Sequence, residues 1–403
     1  MAHRLASLLS DRFEGGTPLT TTELIARETA RTSDARVLVP EALEDLLTAL
    51  HDRGYRVLGP QLRAGTIVYG ELTRAADLPT GWTAEQEPGH YRLARRNDEA
   101  RFGYTPGPHS WKQELFPARV RLFSSKRTGA DLELTEEPLD ERPTALVGVR
   151  ACEVAAIRIQ DRVFLGGRFA DRDYAARRRE LFVVAVDCGE PAATCFCDSV
   201  GAGPSAEHDF DLRLTELLDG EHRLLAVAGS AAGAELLGAL PARAASDDDL
   251  AAADQLREQA RATMRAGAEL QVEGLHDLLV ENPEHPRWDD VAKRCLGCAN
   301  CTLVCPTCFC SSVEDVADLT GTEAERFRVW DSCFSVKYSE LHGGSVRTST
   351  KSRYRQWLTH KLGTWQDQFG ELGCVGCGRC ITWCPAGIDL REEVNALQEV
   401  QAQ

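Results

Sequence analysis

Fifteen cysteines are spread unevenly along this 403-residue chain. Eight of them repeat one spacing: Cys295, Cys298, Cys301 and Cys305 before Pro306, then Cys374, Cys377, Cys380 and Cys384 before Pro385. Thiolates are soft ligands, and C-x2-C-x2-C-x3-C-P is a run that holds paired [4Fe–4S] clusters. Three thiolates on one tight loop cover three corners of a cubane, while the fourth points away across the fold and ligates the other cluster. The spacing therefore assigns Cys295, Cys298, Cys301 and Cys384 to one [4Fe–4S] cluster, and Cys374, Cys377, Cys380 and Cys305 to a second. The chemistry expected is one-electron transfer. A four-thiolate zinc site is the main competing reading, although such sites usually show two C-x2-C knuckles without the third cysteine. A disulfide framework fits less well, because the chain is long and its opening MAHRLASLLS has no apolar signal segment. Those features point to the reducing cytoplasm.

Seven cysteines remain. Cys152 and Cys188 each follow a short apolar run, TALVGVR (Thr144–Arg150) and LFVVAVD (Leu181–Asp187), and the helical pattern EVAAIRIQDRVF lies between them. Two strands joined through a helix predict a parallel βαβ unit, with both cysteines at strand carboxyl ends, where open α/β sheets place ligands. Cys195 and Cys197 sit in a Gly/Pro-bounded loop, PAATCFCDSVGAGP, close enough to fold back over them. Cys152, Cys188, Cys195 and Cys197 are thus expected to form a third [4Fe–4S] site, with zinc and simple burial as the alternatives. Cys308, Cys310 and Cys333 supply only three thiolates and are expected to pack against, or hydrogen-bond to, the neighbouring cluster, with an incomplete or mixed-ligand site as the alternative.

The elements around these residues are partly legible. Ser7–Arg12 reads as a short helix, Pro40–His51 as a second, and Tyr55–Leu58 as a strand. A loop rich in Gly, Pro and His runs from Gly103 to Pro117. LRLTELLDGEHRLLAVAG suggests a hairpin turning at Asp219-Gly220, and Asp247–Gly267 an acidic helix leading to a cysteine-rich part that begins near Trp288. Between the two cysteine runs lie 68 residues, 306–373, whose later portion carries Lys337, Arg347, Lys351, Arg353, Arg355 and Lys361. These cations read either as a solvated face or as charges that balance reduced clusters or dock an acidic partner.

Composition excludes several function classes. A net charge of −16 argues against nucleic acid, and no apolar run reaches the roughly 20 residues that span a bilayer. The nearest, Leu224–Leu240, is broken by Glu235 and reads as a strand followed by a helix. No Walker A run, H-E-x-x-H or G-x-S-x-G elbow is present. A loose G-x-G-x-x-A at Gly201, Gly203 and Ala206 is interrupted by Pro204 and followed by strand-like DFDLRL, so no flavin or nicotinamide site is expected on this chain.

The ordered set GVRACEVAAIRIQDRVF, Cys188 with TCFC, CLGCANCTLVCPTCFC, WDSC and CVGCGRCITWCP resembles the β subunit of cytoplasmic NAD(P)-linked [NiFe] hydrogenases, or sulfhydrogenases. The electron-transfer subunit of anaerobic sulfite reductases is similar to it. The resemblance spans roughly Thr144–Ile388 and takes in all fifteen cysteines. It implies a heteromeric complex: an FAD/NAD(P)-binding γ subunit of ferredoxin-reductase type, small and large [NiFe] hydrogenase subunits, and this chain as the iron–sulfur relay between them. Where the family often has Asp after its first cysteine, this chain has Glu153, which keeps the carboxylate.

The fold class expected is therefore α+β or α/β: a mixed α/β body followed by a C-terminal two-[4Fe–4S] ferredoxin-like domain with a long insertion. The sequence divides into an N-terminal α/β region (1–115), a central α/β domain with the third site (116–285) and the two-cluster domain (286–403). A non-catalytic electron-transfer subunit of an oxidoreductase complex is expected, located in the cytoplasm, with no nucleic acid and no direct membrane insertion. The alternatives are the same relay serving a sirohaem sulfite reductase, and a zinc-stabilised scaffold.

Overall fold

A computed structural model describes residues 34–267 and 269–401. The helix expected at Ser7–Arg12 lies outside them. In chain order the strands are β1 (Arg36–Leu38), β2 (Arg56–Arg63), β3 (Thr66–Glu71), β4 (Trp82–Glu87), β5 (His90–Arg95), β6 (Arg119–Thr128), β7 (Asp131–Glu136), β8 (Thr144–Arg150), β9 (Leu181–Val186), β10 (Leu212–Leu217), β11 (Arg223–Ala228), β12 (Arg243–Ala244), β13 (Ser311–Ala317) and β14 (Glu323–Trp330), followed by the two-residue strands β15 (Glu340–Leu341) and β16 (Gly344–Ser345).

Between the terminal Thr144 and Arg150 of β8 every residue is apolar, as is the whole of β9, and every residue of both strands is buried. Such runs suit the centre of a parallel sheet covered on both faces. They pair in parallel, Thr144 opposite Leu181, within an eight-stranded sheet of order β12-β1-β11-β10-β9-β8-β2-β3. β2, β8, β9 and β10 are parallel; β3 pairs antiparallel at one edge, and β11, β1 and β12 pair antiparallel at the other. One face carries a core of Leu46, Leu47, Val57, Val147, Phe182, Val184 and Leu236. The opposite face packs Leu146, Val149, Val183 and Ala185 against Ile157 and Tyr174 of the helices Ala151–Phe164 and Arg172–Arg179.

β8 is interrupted between Val147 and Val149, where Gly148 adopts φ +83° beside Pro60 and Phe102. A bulge at that point needs glycine. It bends the end of β8 that leads directly into Cys152.

The expected hairpin exists as β10–β11, Leu212 opposite Ala228, with a five-residue connection in place of a two-residue turn. The acidic helix spans Asp247–Ala266, capped by Ser246 and Asp249, which bond each other's backbone amides in a capping box. Gly103–Pro117 is not simply a surface loop. It contains the short helix Lys112–Leu115 and buries Tyr104, Trp111, Leu115 and Phe116. A second sheet, β13-β14-β6-β7, pairs residues 119–136 with residues 311–330 of the segment between the cysteine runs.

Candidate metal centres

The two cysteine runs fold alike because their sequences, CLGCANC and CVGCGRC, place small residues at the same points. Gly297 and Gly376 both have φ +63°, and Ala299 (φ +66°) and Gly378 (φ +74°) both precede a one-turn helix. The loop amides turn inward: Gly297 N–H lies 3.4 Å from Cys295 Sγ, and Gly376 N–H 3.5 Å from Cys374 Sγ. Amides aimed at sulfur stabilise thiolate charge.

Cys384 comes from the second run yet faces the first. It lines one cavity with Cys295, Cys298 and Cys301, closed by Phe334, Tyr354, Trp357, Ile388 and Leu390. Burial pushes the Cys301 thiol well up. Cys305 is buried on the other side, within electrostatic reach of Cys374, Cys377 and Cys380. Burial raises Cys374 to about 12 and lifts Cys380 well above the ordinary thiol range. Cys305 is held well below that range by a hydrogen bond from Cys308, against the cost of its burial and with help from the Lys361 ammonium.

The central cysteines converge as well. Cys152 lies in the first turn of the helix Ala151–Phe164, Cys188 lies two residues past the end of β9, and the 194–197 loop returns over them. Cys152, Cys188, Cys195 and Cys197 line one cavity together with Arg150, Arg379 and Cys377. Burial raises Cys195 to about 12 and pushes Cys152 and Cys197 well up.

The second run forms part of this cavity's wall. Phe196 N–H donates to the Gly376 carbonyl at 2.8 Å, and a Cβ on Gly376 would sit 2.6 Å from Cys197 Cα. The donor chemistry fits an iron–sulfur cluster: soft thiol donors line both cavities, and buried cations stand close by. Arg150 is one of these. Its guanidinium donates to the Asp187 carbonyl (2.7 Å), to the Tyr104 carbonyl (2.8 Å) and to the Phe102 carbonyl, while its Nε is buried without a partner. Among the described residues, no three His, Cys, Asp or Glu side chains close on a point as a single metal ion requires.

Residues 294–388 match the family described as a 4Fe-4S dicluster domain. Sulfhydrogenase 2 subunit beta of Pyrococcus furiosus is 34% identical over 316 residues, covering 77% of this chain and 89% of the relative. This chain belongs to the sulfhydrogenase β-subunit family. As a β subunit it carries iron–sulfur clusters and serves electron transfer, and its mixed α/β body with a C-terminal dicluster domain is the architecture expected from the sequence. The match to a hydrogenase subunit does not favour the sulfite reductase and zinc-scaffold alternatives.

Several residues of this β subunit that shape the sites were not singled out in the sequence. Arg379, inside the second run, is buried and bonds Glu153 Oε1 at 2.8 Å, while Tyr69 donates to Glu153 Oε2 at 2.6 Å. Glu153, expected only as a retained carboxylate, is thus the anchor of a buried ion pair 226 positions apart in sequence. Arg379 also donates to the Gly107 and His109 carbonyls, each at 3.0 Å, which ties down the 103–117 loop.

The basic segment divides. Lys351 and Arg355 form surface pairs with Asp289 and Glu284, whereas the buried Arg353 bonds the Arg347 and Thr348 carbonyls beside Gly297. Lys361 is buried against Cys305. The three leftover cysteines separate too: Cys308 bonds Cys305, and Cys310 receives hydrogen bonds from Cys333 and Tyr338 that bring it to about 6 despite burial.

Proposed function

We propose that this chain relays single electrons through three adjacent cysteine-lined sites, between an FAD/NAD(P)-binding γ subunit on one side and the small and large subunits of a [NiFe] hydrogenase on the other, in the cytoplasm. The two ferredoxin-type sites use Cys295, Cys298, Cys301 and Cys384, and Cys374, Cys377, Cys380 and Cys305. The third uses Cys152, Cys188, Cys195 and Cys197. A [4Fe–4S] group bound at each would accept and release one electron without making or breaking a substrate bond.

The observation that carries the reading is the sharing of walls. Cys380 reaches the cavity of the first site, and Cys377 reaches that of the third, so the second site adjoins both. The chain's own residues do the rest. Phe334, Tyr354 and Trp357 line the first cavity and shield it from water on their side, loop amides point at the sulfurs, and Arg150 supplies fixed positive charge at the third site. Cys298 is exposed beside Leu296, which is 70% exposed, so the first site comes nearest to solvent and offers a point of exchange with a partner. Among the described residues no helix is long and apolar enough to cross a membrane.

The test is to purify the native complex and identify its other subunits and metals, and to count iron in the anaerobically reconstituted chain. Nickel should copurify, and the chain alone should hold about 12 iron atoms, three groups of four. It should accept electrons from dithionite but oxidise neither H2 nor NAD(P)H. About 8 iron atoms would remove the third site, and stoichiometric zinc without broad visible absorption would end the relay reading.

A further inference from the structure

Lys361 is 5% exposed, and its ammonium meets three acceptors: Cys305 Sγ at 3.3 Å, Thr307 Oγ1 at 3.0 Å and the Gly373 carbonyl at 2.9 Å. These use all three donors of an ammonium. No carboxylate is among these partners. Burying an unpaired charge is costly, and a well-packed apolar side chain of similar volume would avoid that cost. The anions within its reach are sulfurs, those of Cys305, Cys308 and Cys374.

The position is also geometrically special. Lys361 lies on a single π-turn, His360–Thr364, between the α-helical segments Thr350–Thr359 and Trp365–Phe369. Such bulges are uncommon and gather at functional sites. From that turn the side chain joins the last cysteine of the first run to the residue preceding the first cysteine of the second. Thr307 reinforces the joint, with its hydroxyl 2.8 Å from the Gly373 carbonyl and 3.1 Å from Cys305 Sγ. A second lysine with no carboxylate partner, Lys112, is 4% exposed, and its Nζ stands 3.9 Å above the Trp330 ring near Cys308 and Cys305.

We propose that Lys361 is a positioning residue that sets the reduction potential of the second site. Its fixed charge and its N–H···S bond to Cys305 stabilise the more negative, one-electron-reduced state of the group held there, which raises that potential. Reduction adds one electron to the group held there, and no bond of Lys361 is made or broken, since its three hydrogen bonds are already in place. The inference rests on the reading that Cys305 completes the second site.

The test compares K361M and K361R with the unaltered full-length chain after anaerobic reconstitution, by iron content and by potentiometric titration followed by electron paramagnetic resonance. With iron complete, K361M should lower the midpoint of one cluster by at least tenfold in its equilibrium constant, about 59 mV for one electron. K361R should move it by less than half as much. An unmoved midpoint in a fully loaded K361M overturns the proposal. Should K361M fail to load, the neutral but hydrogen-bonding K361Q takes its place, and iron loss in both would show a merely structural lysine and overturn it too. Cys305→Ser tests the underlying reading separately, since full iron with every signal intact would sink that assignment whatever Lys361 does.

Discussion

Replacing Gly376 by alanine should damage the third site, while the same change at Gly297 should not. Both glycines have φ +63° at equivalent points of the two runs, so each substitution carries the same left-handed backbone penalty, about 1–2 kcal/mol. Their surroundings differ. A Cβ at Gly297 would meet only the tip of Arg353, 3.7 Å away, whereas one at Gly376 would lie 2.6 Å from Cys197 N, Cys197 Cα and Phe196 C. That is about 0.8 Å inside the 3.4 Å at which ordinary contact begins, and every atom struck is backbone. Relief requires the Cys195–Cys197 loop to back away and to stretch the 2.8 Å bond from Phe196 to Gly376. Overpacking of this kind adds about 1–3 kcal/mol, which gives G376A a total of about 2–5 kcal/mol against about 1–2 for G297A. Iron content and thermal melting of the two reconstituted variants, compared side by side, would measure this. G376A should melt lower than G297A and lose up to about four iron atoms, one cluster's worth. Equal melting and equal iron would refute the claim that the second run is pressed against the central loop.

Three further outcomes are expected. Cys384→Ser should perturb the spectroscopic signal of the group held by Cys295, Cys298 and Cys301; loss of the Cys374, Cys377 and Cys380 signal instead would mean that each run keeps its own fourth ligand. Cys197→Ser should remove up to about four iron atoms while Cys310→Ser leaves the count intact, and the reverse pattern would move the third site into the 306–373 segment. R379M, which strands the buried Glu153 carboxylate, should destabilise the chain by about 3–5 kcal/mol in denaturant unfolding; an unchanged midpoint would show that the Arg379–Glu153 pair does not hold the second run to the body.

What could be read from the sequence was whatever a short stretch of chain decides. Three cysteines within seven residues share a loop wherever that loop goes, and two short apolar runs flanking a helical pattern leave little choice but adjacent parallel strands. The gathering of Cys152, Cys188, Cys195 and Cys197 was legible for the same reason, since strand ends and a short return loop set it. The remaining features depend on distant partners. Nothing near Glu153 announces Arg379, and nothing near Lys361 announces Cys305, 56 positions earlier. β6 and β7 are polar and largely exposed, so no periodicity marked the pairing of β6 with β14, where Lys126 lies opposite Glu323 and Arg119 opposite Val329. The Gly103–Pro117 segment read as a loop from its Gly and Pro content, yet Arg379 and the stacked Tyr69–Trp111 rings draw it inward.

The contact between Gly376 and the Cys197 loop also sets a timetable for biogenesis. The third cavity gains its last wall only when Cys377 and Arg379 arrive, 180 residues after Cys197 has been synthesised. At ordinary elongation rates of about 5–20 residues per second, that leaves roughly 10–40 s in which four thiols stand on an unfinished surface. Ribosome-bound chains arrested before residue 374 should therefore have these cysteines open to alkylation, and protection there would contradict the timetable.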